Sequence, residues 1–141
     1  MKIGSKSNLK LDSAGVLPQN QKNFVIGVDD CICYLATGKS IDDLSVEDVL
    51  NASEIPGARE WVNKLVEAGH YVCFLTSRPQ KLKSATRTWL KLHGFKFDSL
   101  LMGKPDALKY HYIDDRHVQA TTFVGRFTPL VKKDREIQVF E

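Results

Sequence analysis

Apolar positions along the chain fall into short β-branched runs that alternate with stretches of helical period. The first run covers residues 23–28 (NFVIGV), and short runs of this kind fit buried parallel strands. Asp29 and Asp30 end it. Residues 33–54 read as a loop with a small helix, because Ser45 and Asp48 form a capping pair ahead of Val49 and Leu50. A stronger helix follows Pro56, a residue suited to a first helical turn. Ala58, Trp61, Val62, Leu65 and Val66 lie at i, i+3, i+4, i+7 and i+8 and share one face, and Gly69 is the stop. Tyr71–Leu75 (YVCFL) reads as a second buried strand and runs into Thr76, Ser77, Arg78 and Pro79. A further helix is expected over residues 80–93, with Leu82, Ala85, Trp89, Leu90 and His93 inward and Gly94 at its end. A third strand at 99–102 leads into Gly103, Lys104 and Pro105, and a fourth at 111–113 is closed by Asp114, Asp115 and Arg116. Apolar runs at 127–131 and 137–140 each read as one more strand.

Strand and helix alternate through residues 23–141, which predicts an α/β sandwich with a mostly parallel sheet. Residues 1–22 are polar and read as a loose arm, with a short edge strand at 9–11. In parallel sheets, ligands bind outside the carboxyl ends of the strands. Asp29 and Asp30, Thr76 to Arg78, Lys104, and Asp114 and Asp115 all stand at predicted strand ends. They are expected to converge on one rim.

Composition narrows the class without naming a function. The chain has 141 residues, 43% hydrophobic and 26% charged, with 9 Gly and 5 Pro, which fits a globular domain rather than a disordered or collagen-like chain. No apolar run approaches the roughly 18 residues needed to span a bilayer, and the polar N-terminus lacks the apolar stretch of a secretory signal. Cys31, Cys33 and Cys73 are too few and too irregular for a disulfide framework. The expectation is a reduced, cytoplasmic protein with no membrane partner. The net charge of +3 sits entirely in residues 1–22, where Lys2, Lys6, Lys10 and Lys22 face Asp12, and the remainder is neutral. On that balance no nucleic-acid partner is expected.

The rim residues make chemical sense together. Carboxylates sharing a site repel one another unless a cation screens them, and Mg²⁺ is the natural partner of such hard oxygen ligands. A Lys and a Thr hydroxyl beside it complete a phosphate-sized site. Phosphoryl transfer needs mainly positioning and charge neutralisation, which this set supplies.

The order strand–x-Asp-Asp, strand–Thr-Ser-Arg, Gly-Lys-Pro, strand–Asp-Asp resembles the four motifs of the haloacid dehalogenase (HAD) superfamily. Residues 100–116 (LLMGKPDALKYHYIDDR) are similar to small capless HAD phosphatases of capsule and polysaccharide biosynthesis. The resemblance covers about residues 23–118. It implies a HAD-like three-layer sandwich over residues 23–141, with a mostly parallel central sheet and no large cap domain. Residues 33–54 are long enough for a small flap only. It also implies Mg²⁺-dependent phosphomonoester hydrolysis of a phosphorylated small molecule, a sugar phosphate or a nucleotide-linked one. Asp29 would match the general acid/base, with its backbone carbonyl as a metal ligand on Mg²⁺. Thr76 would bind the transferring phosphoryl group, Lys104 would neutralise its charge, Ser77 and Arg78 would border the phosphate, and Asp114 and Asp115 would ligate Mg²⁺.

One departure from the family pattern is large. HAD phosphatases open on Asp-x-Asp-x-Thr, and the first Asp is the nucleophile. Matching Asp29-Asp30-Cys31-Ile32 to the family's Asp-Asp-Thr-Ile puts Gly27 at the nucleophile position and Cys31 at the Thr. Glycine has no side chain, so covalent catalysis through an aspartyl-phosphate is impossible in this register. A two-residue slip makes Asp29 the nucleophile and Cys31 the second acid, and keeps the same strand face outward. The function is therefore expected to be either an impaired phosphatase or a pseudophosphatase that binds a phosphorylated ligand or a partner protein.

Other signals change little. Gly38-Lys39-Ser40 lacks the preceding glycine and the strand-to-helix context of a P-loop. A receiver domain needs an acceptor Asp on a middle strand before its Thr, and none stands between Cys31 and Thr76 at a strand end. Cys31, Cys33, His111 and His117 lack the paired spacing of a zinc site. Lys81, Lys83, Arg87 and Lys91 line the outer side of the second helix, as a solvated face or as a dock for an anionic substrate tail. His70 and His93 flank helix ends and read as structural.

Overall fold

In the computed structural model the alternation becomes the order β1 (Asn23–Ile26), α1 (Val46–Leu50), α2 (Ala58–Glu67), β2 (Tyr71–Leu75), α3 (Lys83–Leu92), β3 (Ser99–Leu101), β4 (Gln119–Ala120) and β5 (Arg135–Glu136). Single 3₁₀ turns at Ile41–Asp43 and Gln80–Leu82 precede α1 and α3. The structure describes residues 21–125 and 127, and the backbone of 135–136. The expected arm therefore lies outside the described residues except for its last two. The strand at 9–11 and the runs at 128–131 and 137–140 lie outside them as well. Gln21 and Lys22 are already engaged: Gln21 Nε2 donates to Gly69 O at 3.1 Å, and Lys22 N donates to His70 Nδ1 at 3.0 Å.

β2 is the centre of a three-stranded parallel sheet of order β1–β2–β3. Asn23 pairs with Tyr71 and Ile26 with Phe74 on one side, and Cys73 with Ser99 and Leu75 with Leu101 on the other. Its position explains its sequence, since a strand covered on both faces needs apolar residues at every position. Tyr71 to Phe74 are all buried. β1 departs from the expected buried strand. Among the described residues it lies at an edge, Asn23 and Val25 are exposed, and only Phe24 and Ile26 pack on the core. β4 and β5 form a separate two-residue antiparallel ladder. The fold is thus an α/β arrangement around a small open parallel sheet.

The helices form where their apolar stripes predict. In α2, Ala58 and Val62 are fully buried, with Trp61, Leu65 and Val66 packed beside them. Gly57 at φ 84° supplies the left-handed entry that a residue with a Cβ resists. In α3, Ala85, Thr86, Trp89 and Leu90 are buried. Trp89 stacks on His93 (4.2 Å) and Phe95 (5.5 Å), and its Nε1 donates to Ala52 O at 2.9 Å, which ties α3 to the chain just after α1. α1 has the predicted capping box: Asp48 N donates to Ser45 Oγ at 3.0 Å, and Ser45 N to Asp48 Oδ2 at 2.9 Å. The 33–54 segment is short and pinned by main chain, with Tyr34 N on Ser53 O and Ile55 N on Ile32 O.

The expected fourth strand at 111–113 does not form. Residues 103–118 are irregular and mostly exposed. A strand needs a ladder partner, and this segment satisfies its polar groups locally instead. Tyr110 Oη donates to Pro105 O at 2.7 Å and accepts from Ala107 N, while Tyr112 Oη donates to Asp114 Oδ2 at 2.7 Å.

Candidate functional site at the strand ends

Three chain segments leave the carboxyl ends of β1, β2 and β3, and those after β2 and β3 are joined by main-chain hydrogen bonds. Thr76 N donates to Leu101 O (2.9 Å), Lys104 N to Thr76 O (3.0 Å) and Gly103 N to Arg78 O (2.9 Å). These bonds extend the β2–β3 pairing into the loops and bring Thr76, Arg78 and Lys104 together. After β1 the chain wraps around one carbonyl: Cys31 N, Ile32 N and Cys33 N all point at Val28 O, at 3.2, 3.0 and 3.4 Å. Closing that turn puts Asp30 at φ 60°, a left-handed conformation that Asp tolerates through side-chain bonding. Its Oδ1 accepts from Leu35 N at 3.0 Å.

The centre of the rim is a buried ion pair. Arg78 Nη2 donates to Asp29 Oδ1 at 2.7 Å and Nε to Oδ2 at 3.0 Å, a two-pronged contact whose partners are 3% and 6% exposed. The remaining guanidinium prong, Nη1, donates to Thr86 Oγ1 at 3.0 Å, and Nη2 also reaches Cys33 Sγ at 3.6 Å. Arg78 is therefore turned inward onto Asp29 rather than standing at the edge of an open phosphate site. Thr76 Oγ1 accepts from Arg78 N at 3.1 Å, which couples the β2 turn to the same network. Ser77 is half-buried beside them, and Lys104 holds its ammonium 3.8 Å above the Tyr110 ring.

Sequence reasoning missed two members of this network, Cys33 and Thr86. Thr86 is a polar residue inside the apolar stripe of α3, and that mismatch was the available signal. Burial pushes the Cys33 thiol up to about 12, against the opposing pull of Arg78. Cys31 is half-buried, and burial raises its thiol too, although Lys104 pulls the other way. Neither is poised as a thiolate. Cys31 has a steric consequence instead. A Cβ built on Gly27 would stand 3.1 Å from Cys31 Sγ, so the sulfur must give way slightly to admit a side chain at position 27.

The donors do not fit Mg²⁺ as folded. Both carboxylate oxygens of Asp29 accept from Arg78, which leaves its backbone carbonyl as the atom it could offer a metal. Asp114 and Asp115 are exposed on the 103–118 segment, and the Tyr112 hydroxyl and Arg116 N–H bind Asp114 and lower its proton affinity. Among the described residues no three Asp, Glu, His or Cys side chains gather in a metal-sized group. No helix among them is long and apolar enough to cross a membrane.

No family model matches the chain. A protein of Oceanobacillus iheyensis named "Putative nucleotidase OB0422" is 30% identical over 111 residues. That alignment takes in 70% of this chain and 59% of the relative, so the chain spans little more than half of the protein it matches. Among solved structures, one chain of "Structure of Pnkp1/Rnl/Hen1 complex" superposes with a TM-score of 0.51 at 15% identity. It covers 78% of this chain and 36% of that one, a likeness of fold.

Proposed function

We propose that the chain is a HAD-like α/β sandwich without a large cap, whose rim recognises a phosphoester while phosphatase turnover is impaired at Gly27. One observation carries the reading: Gly27, Asp29, Thr76 and Lys104 follow the parallel strands in the order of the HAD motifs, and the last two are joined by the Lys104 N to Thr76 O bond. The relative named as a nucleotidase supports the phosphate-ester side of the reading. The ligand class is a phosphorylated small molecule, a sugar phosphate or a nucleotide-linked one. Lys104 supplies its countercharge, and Ser77 and the Thr76 hydroxyl its hydrogen bonds.

Impairment follows from the residues themselves. Gly27 offers no atom for an aspartyl-phosphate. Asp29, the counterpart of the general acid/base, is held through both carboxylate oxygens in a buried bidentate pair with Arg78, which must loosen before Asp29 moves a proton. The test compares the natural chain with Gly27→Asp in a Cys31→Ala background, because the sulfur would crowd the new side chain. An aryl phosphate assayed with Mg²⁺ should show background turnover in the natural chain and a gain in the double variant. Turnover in the natural chain that disappears in Asp29→Asn would make Asp29 the nucleophile and overturn the reading.

A further inference from the structure

The neutral balance of residues 23–141 conceals a separation of charge. Residues 76–97 contain Arg78, Lys81, Lys83, Arg87, Lys91 and Lys96 and no Asp or Glu, whereas residues 29–60 hold eight acidic side chains against Lys39 and Arg59. Helical period then sorts the basic run. Arg78 turns inward to Asp29, and Leu82, Ala85, Thr86, Trp89 and Leu90 are buried. Lys81, Arg87 and Lys91 are left exposed and Lys83 half-exposed. Arg87 and Lys91 are four residues apart on α3, about 6 Å along its axis.

These cations lack internal partners. Among the described residues, Lys81, Lys83, Arg87 and Lys91 form no ion pair. Lys96 lies 3.2 Å from Glu67 in a pair that is more than half exposed, and such a pair contributes little and opens readily. A row of unpaired like charges repels itself until an anion neutralises it. Beside the row, an open cleft of about 500 Å³ brings Arg87, Lys91 and Lys96 against Val66, Phe97 and Leu100. Asp98 borders the same cleft, and its Oδ2 accepts from Val72 N at 2.8 Å.

We propose that this face of α3 binds single-stranded nucleic acid, with the phosphates along the lysine–arginine row and a base in the cleft. A cationic track beside a cleft of mixed polarity that Phe97 helps to line is suited to an unpaired strand, whereas a duplex keeps its bases stacked and cannot use the cleft. The face shares no residue with the rim and does not depend on whether the rim turns over phosphoesters.

The test is fluorescence anisotropy of a labelled oligothymidylate with the full chain. Four phosphate contacts predict a slope of log K against log salt of about −3, a roughly fifty-fold weakening between about 50 and about 200 mM salt. Arg87→Glu with Lys91→Glu, both on the exposed face, should weaken binding about tenfold or more and cut the slope to about −1.4. Lys81→Glu with Lys83→Glu should do the same, and circular dichroism should report unchanged folding in both. Absence of binding at the lower salt, or a slope unchanged in both variants, would overturn the proposal. So would equal displacement by inorganic polyphosphate or polyglutamate of matching charge, which would mark a face that reads charge without bases, as for an acidic protein partner.

Discussion

At the scale of single residues, the rim is organised around Arg78. Its guanidinium donates to both oxygens of Asp29 and to the Thr86 hydroxyl, so these three buried side chains partner one another. Removing one member leaves a charge buried and uncompensated. Arg78→Met is therefore expected to cost about 3–5 kcal/mol in urea unfolding, with much of that recovered when Asp29→Leu is added. A loss below about 1 kcal/mol would show the pair to be exposed in solution. Gly27 and Cys31 belong to the same scale. One lacks a side chain and the sulfur of the other lies close to where its Cβ would stand, so a new Cβ at 27 requires the sulfur to shift slightly.

At the scale of elements, α1 is too short to persist on propensity alone, and its five residues depend on their cap. Asp48 accepts from Lys39 Nζ at 2.6 Å and from Ser45, and these bonds hold its carboxyl well below the usual range, at about 2. Because the folded value is depressed from 3.8, the stabilisation is complete above that value and is lost as pH falls toward about 2. Ser45→Ala is expected to cost about 1 kcal/mol at neutral pH. Urea midpoints of the natural chain and Asp48→Asn, taken between about pH 6 and about pH 2, should converge at the acid end, where the carboxyl is protonated. A gap that stays constant with pH would place the cap energy elsewhere. Trp89 carries the other end of this unit, through its indole bond to Ala52 O.

At the scale of the molecule, the three cysteines sample two depths. Cys33 and Cys73 are fully buried, and burial raises both thiols, while Cys31 is half-buried at the rim. Under native conditions at mildly alkaline pH, a thiol reagent should modify Cys31 first. Cys33 and Cys73 should react only at the rate of global unfolding, a pattern that mass mapping of the labelled peptides would resolve. Rapid labelling of Cys33 would mean that the Arg78 network opens locally. Charge is likewise a property of the whole. Acidic residues gather in the 29–60 segment and basic ones in 76–97, a division that net charge hides.

Local pattern alone determined a good deal. The apolar run of Tyr71–Leu75, the stripe through Ala58, Trp61 and Val62, and the Ser45–Asp48 cap each specify their element, because each pattern is written within a few residues. The order of polar residues after successive strands, and the lack of any side chain at Gly27, are also plain in the sequence. Tertiary structure decided what depends on distant partners. Among the described residues it set β1 at an edge, where Val25 is exposed. It left 111–113 out of the sheet, since a strand is defined by its neighbour and local bonds from Tyr110 and Tyr112 won instead. It turned Arg78 inward, because Asp29, 49 residues away, and Thr86, one helix later, offered buried acceptors that no local pattern encodes.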